Sequence, residues 1–352
     1  MNQKEDHYAI VVGIDHYQRY DCLQGACNDA NDFAEWLEKA SGGNLPHGNV
    51  KTIVSDKGLT GPTVQLIDEA VIQLLEKSRN YSRRVGTRLY LFMAGHGLSA
   101  KTFGPFSGSR EVLLAMPKDG NIQAQQYPGI RCADHFRESG VFKEVVLFMD
   151  CCRDHLNFNL MPYWVFVPYL NAEARVHHYY AFATGAGQRS REYEINGKWR
   201  GIFSQYLIEG LEGKATDGEG NVTGRSLKEY VDRMVAMVSG LSGQAPQQVD
   251  TVGDENIILV ASKPAQESEL VVKRSNPAQQ VWLFAGNDIN HLVLPKEEKD
   301  SFMVFPVSEG NLYLIGYAPT NKPAYAKYLQ NPKHLIINDT TRLIDDDFFN
   351  SK

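Results

Sequence analysis

The sequence predicts an α/β protein with a mostly parallel sheet flanked by helices on both faces, followed by a small β-rich domain. Across the first 260 residues, short apolar runs alternate with amphipathic stretches of helical length, an order typical of parallel sheets. After a polar segment at residues 262–269, short β-type runs separated by turn residues follow. We therefore place one domain at residues 1–262 and a second at residues 263–352.

The strands of the first domain are predicted from continuous apolar runs. Such runs are expected where a strand is buried on both faces of a sheet. The predicted strands are residues 8–14, 50–54, 88–93, 144–149, 178–184 and 256–261.

The helices are predicted from apolar residues at helical spacing between these strands. Residues 28–39 place Phe33, Trp36 and Leu37 on one face, which favours an amphipathic helix. Further helices are predicted at residues 61–77, 201–212 and 226–238.

The second domain is predicted to be built mainly from strands. One short helix is expected at residues 324–329. The β-type runs are residues 271–274, 281–286, 291–295, 302–307, 312–318 and 334–339.

Composition and charge exclude several classes of function. The net charge of −6 gives no basic surface for nucleic acid. No apolar run is long enough to span a bilayer, and the first residues lack a secretory signal, so we expect a cytoplasmic protein without a membrane partner. The five cysteines are odd in number and two are adjacent, so a disulfide framework is not expected and a reducing cytosol is favoured. They include no CxxC pair, so a structural zinc site is not expected. No cofactor is expected.

Two short polar motifs follow apolar strands. AGHG, at residues 94–97, follows the third predicted strand, and DCCRD, at residues 150–154, follows the fourth. In parallel sheets, sites gather at the carboxyl ends of strands. If these strands are neighbours, His96 and Cys152 face one crevice, and the backbone N–H groups of Gly97 and Cys152 could hold an oxyanion.

More ordinary interpretations exist for each motif alone. His96 could lie in a simple glycine turn, and Cys152 could be a small buried residue that ends a strand. The matched position of the two residues after two strands favours the catalytic interpretation over these alternatives.

Together, the segments resemble the caspase-like cysteine peptidases, and more closely the metacaspases and their bacterial relatives. The separation of 56 residues (152 − 96) between the two motif residues is similar to that of the family, in which the His precedes the Cys by roughly 50 residues. The resemblance covers most of residues 8–260. Its segments are YAIVVGIDHY, LQGACNDANDFAEWL, LYLFMAGHG, VVLFMDCCRD, YYAFATGAGQRSRE and GIFSQYLIEGLEGKA.

The resemblance implies a caspase-like fold and a cysteine endopeptidase. Cys152 matches the family's nucleophile and His96 its catalytic base. Asp29 and Asp150 match the acids of the metacaspase S1 pocket, the subsite for the side chain that precedes the cleaved bond. Such a pocket favours Arg or Lys. The alternative is that Asn28 or Asp29 only caps the helix that follows. Strand alternation should bury Cys151 on the other side of its strand.

The sequence departs from the metacaspase pattern after the nucleophile. Arg153, Asp154 and His155 replace small residues, and residues 157–170 are unusually aromatic and apolar. No cluster of acids like the metacaspase calcium site lies near Cys152, so calcium dependence is not expected.

The resemblance also implies a role in the cell. Bacterial relatives pair the peptidase with a sensing module in cell death or antiphage defence. We therefore expect a regulated effector that acts on a protein with a basic residue at the cleavage site. A small-molecule or protein activator would bind the C-terminal domain. The alternative function is a catalytically silent scaffold or binding protein with the same fold.

Overall fold

The structure is a computed structural model, and the residues that it describes fall into two compact units. The first unit comprises residues 1–208 and 231–257, and the second comprises residues 209–230 and 258–352. The predicted domain boundary after residue 262 stays a prediction. The described residues are 3–17, 21–55, 64–79, 83–102, 110–115, 126–160, 176–185, 187–195, 197–240, 247–261, 267–273, 280–285, 292–308, 312–318, 330–336 and 341–345.

Short strands and helices alternate along the chain. Up to residue 160 they are β1 (His7–Gly13), α1 (Ala26–Glu38), a 3₁₀ turn (His47–Asn49), β2 (Val50–Val54), α2 (Val64–Glu76), β3 (Gly86–Gly95), β4 (Gly97–Thr102), β5 (Arg110–Ala115), β6 (Gln126–Pro128), α3 (Gly129–Ser139), β7 (Phe142–Cys151) and β8 (Asp154–Leu160). Up to residue 260 they are β9 (His177–Phe182), β10 (Glu192–Ile195), β11 (Lys198–Gly201), α4 (Ile202–Glu209), a π turn (Gly210–Lys214), β12 (Val222–Thr223), α5 (Gly224–Gly240), β13 (Asp250–Gly253) and β14 (Ile258–Val260).

A six-stranded sheet organises the first unit, in the order β13-β9-β7-β3-β1-β2. All neighbouring strands are parallel except the edge strand β13, which runs antiparallel to β9. The predicted parallel sheet is therefore confirmed. The predicted strand at residues 256–261 forms as β14, but it pairs with β12 in a separate two-stranded sheet.

Helices cover both faces of this sheet, because alternate residues of each strand point to opposite sides. On β3, Leu89, Leu91 and Met93 join a core cluster that includes residues of α2 and α3. From the other face of β3, Phe92 stacks on Phe33 of α1, with ring centroids 4.7 Å apart. The sequence did not predict α3, whose buried apolar residues are interspersed with charged ones.

A second sheet of the first unit continues the two central strands. Its order is β6-β5-β4-β8, and β4 and β8 are parallel, with Leu98 opposite Asp154. β4 begins two residues after β3 ends, and β8 begins three residues after β7 ends. The residues between the two sheets, His96 and Cys152, are thus held by paired strands before and after them.

The second unit contains the predicted β-rich C-terminal region. Its strands are β15 (Glu267–Lys273), β16 (Gln280–Ala285), β17 (Leu292–Val293), β18 (Glu297–Lys299), β19 (Phe302–Ser308), β20 (Leu312–Ala318), β21 (Gln330–Ile336) and β22 (Thr341–Ile344). They form two four-stranded sheets, β18-β19-β15-β22 and β17-β16-β20-β21. Leu270 and Phe305 of one sheet share a core with Leu283 and Ile315 of the other. The predicted helix at residues 324–329 lies outside the described residues.

Among the described residues, no helix is both long enough and apolar enough to cross a bilayer.

Candidate active site

The structure brings the predicted site residues to one cavity. Gly95 and Cys151 are partners in the ladder of β3 and β7, so the next residue of each chain, His96 and Cys152, emerges at the same edge of the sheet. A cavity of about 460 Å³ is lined by both, together with Gly97, Asp29 and Asp150. Another cavity of about 560 Å³, lined by residues 176–178 and 253–256, contains none of the predicted site residues.

Two residues of the loop before α1, Tyr17 and Asp21, orient the imidazole of His96. Its Nε2 lies 2.8 Å from the backbone carbonyl oxygen of Asp21. Because a carbonyl oxygen can only accept a hydrogen bond, Nε2 must carry the proton, which leaves Nδ1 of the neutral ring as the basic nitrogen. The ring of Tyr17 packs against the imidazole, with centroids 4.7 Å apart, and the Tyr17 hydroxyl accepts a hydrogen bond of 2.9 Å from the His96 backbone N–H.

The two adjacent cysteines have different surroundings. Cys151 is buried, with 1% of its surface exposed, and this burial raises the pKa of its thiol. Cys152 is only half-buried, lines the cavity, and its thiol donates to the carbonyl oxygen of Ser190 at 3.8 Å. Cys151 is therefore held as an inert neutral thiol, and Cys152 is the cysteine whose side chain lines the cavity. None of the five cysteines forms a disulfide.

Gly97 lies directly against the segment that carries the cysteines. A Cβ atom at this position would lie 2.5 Å from Sγ of Cys151 and 2.5 Å from the carbonyl oxygen of Cys152. No side chain fits in that space. The absence of a side chain at Gly97 is therefore what allows the chain after His96 to approach the chain after Cys151.

A pair of buried carboxylates forms the floor of the cavity. Asp29 and Asp150 are 2% and 6% exposed, and Gly201 lies between them. The Gly201 N–H donates to Oδ2 of Asp29 at 2.9 Å, and a Cβ on Gly201 would collide with Oδ2 of Asp150. Asp29 lies inside the first turn of α1, behind the N-cap residue Gly25, so its carboxylate is directed to Gly201 and does not cap the helix.

The donors around Asp150 distinguish it from Asp29. Ser190 Oγ donates to its Oδ1 at 2.6 Å, while the backbone N–H and hydroxyl of Ser204 donate to its Oδ2 at 3.0 and 2.7 Å. Among the described residues, Gly201 is the donor to Asp29.

These surroundings shift the titration of both acids. Burial raises the pKa of Asp29 well above its usual value, and the nearby Asp150 carboxylate raises it further. Burial also raises the pKa of Asp150, although its serine donors oppose the shift. More hydrogen-bond donors stabilise a negative charge on Asp150 than on Asp29 among the described residues. Asp29 therefore holds the proton when the pair takes one up.

Several residues that line the cavity or contact its lining were not predicted from the sequence. They come from the loop before α1, from the segment that leads into β10, from the hairpin of β10 and β11, and from α4: Tyr17, Asp21, Ser190, Glu192, Gly201 and Ser204. Glu192 is a third carboxylate, and burial raises its pKa. The segments YYAFATGAGQRSRE and GIFSQYLIEGLEGKA contain four of these residues, but no spacing in the sequence connects them with Asp29 or Asp150.

The chain matches one family model and a curated relative. The family model of the caspase domain of C14 peptidases matches residues 6–258. A probable protease of a Desulfuromonadales bacterium is 26% identical over 275 residues, which cover 75% of this chain and 32% of that protein. The chain thus spans about a third of the length of this curated relative.

Matches among solved structures were also found. Caspase-1 of Spodoptera frugiperda is 15% identical, with a TM-score of 0.46 and coverage of 75% of this chain and 93% of that chain. A protein of Geobacter sulfurreducens is 12% identical, with the same TM-score of 0.46 and coverage of 74% and 98%.

Proposed function

Since the chain belongs to the caspase domain family of peptidases, we propose that it is a cysteine endopeptidase that cleaves after Arg or Lys with a His96–Cys152 dyad. One observation carries the proposal. The imidazole, the accessible thiol and the two buried carboxylates line the same cavity. A nucleophile, its base and a pocket for a cation are the parts that such a reaction needs.

The proposed reaction has two steps. Nδ1 of His96 accepts the thiol proton, and the Cys152 thiolate attacks the carbonyl carbon of the peptide bond. The N–H groups of Gly97 and Cys152 stabilise the oxyanion. His96 then protonates the leaving amine, and a thioester remains on Cys152. In the second step His96 takes a proton from water, the hydroxide attacks the thioester, and the carboxylic acid product and the thiol are released.

The buried acid pair provides the proposed specificity. Asp29 and Asp150 have little access to water, and a guanidinium or ammonium group that enters the pocket offsets one of their two negative charges. The cation thereby replaces the proton that Asp29 otherwise holds. Arg can contact both carboxylates with its planar fork, whereas Lys acts as a point charge. An acidic P1 side chain would meet like charges and would be rejected.

Peptide reporters test this function. Wild-type protein and the Cys152→Ala variant are each mixed with lysate of phage-infected cells and given fluorogenic peptides that differ only in the residue before the reporter: Arg, Lys, Asp or Ala. We expect cleavage of the Arg and Lys peptides by the wild type alone. Efficient cleavage after Asp or Ala would contradict the acidic pocket. Cleavage that persists in the variant would contradict the nucleophile.

The cellular role is proposed from the resemblance to bacterial relatives: a regulated effector of cell death or antiphage defence in the cytoplasm. An unregulated protease that cuts after basic residues would damage the cell. The strands of residues 267–344 form sheets and a core of their own, which supports the proposal that this part of the chain has a function distinct from that of the peptidase sheet and carries the activator site. The reporter assay is repeated with lysates of healthy and phage-infected cells, and activation by the infected lysate alone is expected. Full activity without lysate would contradict regulation.

A catalytically silent scaffold is the alternative. Loss of the His or the Cys is its usual sign, and this chain retains His96 and Cys152 in one cavity. We therefore favour the peptidase.

A further inference from the structure

The side chain of Glu192 joins two parts of the cavity wall. Its Oε1 accepts a hydrogen bond of 2.9 Å from the Gly25 N–H, and its Oε2 accepts one of 3.2 Å from the Gln24 N–H. Both donors lie just before α1, where the helix dipole favours a negative charge. A carboxylate that accepts two backbone N–H groups makes charge-assisted bonds that fix the position of the segment.

The same segment orients the proposed base. Residues 21–25 begin with Asp21, whose carbonyl oxygen accepts the proton of His96 Nε2 at 2.8 Å. Within the segment, the Leu23 N–H donates to the carbonyl oxygen of Asp15 at 2.8 Å. The contact with the imidazole therefore depends on where this short stretch of backbone lies, and Glu192 holds its end.

Glu192 also belongs to the hairpin that contributes to the acidic pocket. It lies opposite Gly201 in the ladder of β10 and β11, and Gly201 is the residue between Asp29 and Asp150. A second contact ties the hairpin to the start of α1, because the Asn28 side chain donates to the carbonyl oxygens of Gln24 and Trp199 at 3.1 and 2.9 Å.

We propose that Glu192 is a positioning residue for His96, which acts through residues 21–25 to keep the Asp21 carbonyl oxygen on Nε2. The proposal rests on the proposed function in taking His96 as the base. It adds that the hairpin of the specificity pocket also sets the orientation of that base. A misplaced Asp21 carbonyl allows the imidazole to turn or to change tautomer, and His96 then no longer presents Nδ1 as the basic nitrogen that the proposed reaction uses.

A different role for Glu192 would be direct contact with the basic side chain of the substrate, since it lines the cavity. The two roles predict different rates for a reaction of Cys152 with a reagent that carries no basic group. Iodoacetamide is small and neutral, and its reaction with Cys152 reports how much thiolate the His96 imidazole supports. Loss of a pocket acid would not lower this rate, because a nearby negative charge disfavours the thiolate, whereas loss of a positioning residue would lower it.

The experiment compares wild type, Glu192→Gln and the matched control Glu194→Gln, which changes an exposed residue of the same strand. Alkylation of Cys152 is followed by site-resolved mass spectrometry from pH 5 to 9, alongside kcat and KM for an Arg peptide. For Glu192→Gln we expect an alkylation rate at neutral pH and a kcat each lower by about 10-fold. KM should change little, and Glu194→Gln should match the wild type.

A second measurement separates positioning from general damage. The ¹⁵N shifts of the His96 imidazole, identified by difference from His96→Ala, should show a proton on Nε2 in the wild type and a mixture of tautomers in Glu192→Gln at an unchanged melting temperature. If Glu192→Gln does not fold, Glu192→Asp, which keeps the charge but shortens its reach, is measured in its place.

Two results would overturn the proposal. One is an alkylation profile and a kcat equal to those of the wild type, with only KM for the Arg peptide raised. The other is an unchanged imidazole spectrum. Because alkylation requires no peptide cleavage, the proposal can be decided even if the protein proves not to cut after basic residues.

Discussion

Gly95 and Cys151 lie opposite each other in the parallel ladder of β3 and β7, and three positions farther along each chain Leu98 and Asp154 begin the parallel ladder of β4 and β8. His96 and Cys152 occupy the gap between these two ladders. The position of each residue is therefore set by backbone pairing on both sides, which leaves little freedom for the pair to separate.

The first prediction concerns this pair. Cys152→Ala or His96→Ala should lower kcat/KM for an Arg peptide by about 10³-fold or more, because the nucleophile and its base act as a unit. Their melting temperatures should stay close to that of the wild type. Cys151→Ala is the control and should keep most of the activity, since its thiol faces the core. An inactive Cys151→Ala with an active Cys152→Ala would show that the nucleophile is the other cysteine.

The second prediction concerns the acidic pocket. Asp29→Asn or Asp150→Asn should lower kcat/KM for Arg peptides by about 100-fold, because a buried cation loses a charged partner, which costs ~3 kcal/mol. The matched control is Glu35→Gln, an exposed acid on the same helix as Asp29, which should have no effect. Selectivity for Arg over Ala peptides that survives both Asp variants would place the specificity pocket elsewhere.

The third prediction follows from the raised pKa of Asp29. An acid with a raised pKa stays protonated to a higher pH than the ordinary value of about 4, and a cation can bind only when that proton leaves. Binding of agmatine to Cys152→Ala should therefore release up to one proton per ligand, and should weaken as the pH falls through the raised pKa.

Calorimetry in buffers of different ionisation enthalpy measures this release directly. Asp29→Asn is the comparison, because it should bind agmatine more weakly and without proton release. Proton uptake on binding to the unsubstituted pocket would contradict the assignment of the proton to Asp29.

The fourth prediction concerns the close approach of Gly97 to the cysteines. In Gly97→Ala, the added Cβ would lie 2.5 Å from Cys151 Sγ and from the Cys152 carbonyl oxygen, so the chain after His96 must move away. We expect a loss of activity of about 100-fold or more, in line with the sensitivity of catalysis to ~1 Å displacements.

Gly48→Ala is the matched control for this substitution. A Cβ on Gly48 meets nothing within 4 Å, and its activity and melting temperature should equal those of the wild type. A fully active Gly97→Ala would mean that the two chain segments can separate without harm to the site.

The sequence was sufficient to predict the central sheet, and it also singled out His96 and Cys152, which line one cavity in the structure and whose role as a dyad stays a proposal. The central strands are buried on both faces and appear as unbroken apolar runs, and the motifs that end them mark the site. The edge strand β13 was missed because its sequence, DTVG, is short and half polar. The sheet of β4, β5, β6 and β8 was missed because the pairing of its strands depends on where β3 and β7 end. The residue pattern within each of these strands does not indicate that pairing.

The pocket was predicted only in part, for a similar reason. Asp29 and Asp150 lie in motifs that resemble those of a known family, but Ser190, Gly201 and Ser204 matter through their contacts with these acids. Glycine and serine are common in loops and at element ends, so their residue types do not predict contacts with the two acids. Those contacts follow from the packing of the hairpin and α4 against Asp29 and Asp150. The Asp21 contact is made by the backbone and has no signature in the residue type.

This last feature affects what mutagenesis can find. The group that fixes the proton on Nε2 of His96 is the main-chain oxygen of Asp21, and every amino acid that replaces Asp21 brings the same oxygen. Substitutions at position 21 would thus not identify this partner of His96. Over evolutionary time position 21 is free to change its side chain while His96 keeps its orientation, and the contact is lost only through changes that move the backbone of residues 21–25, such as loop insertions or deletions or the loss of Glu192.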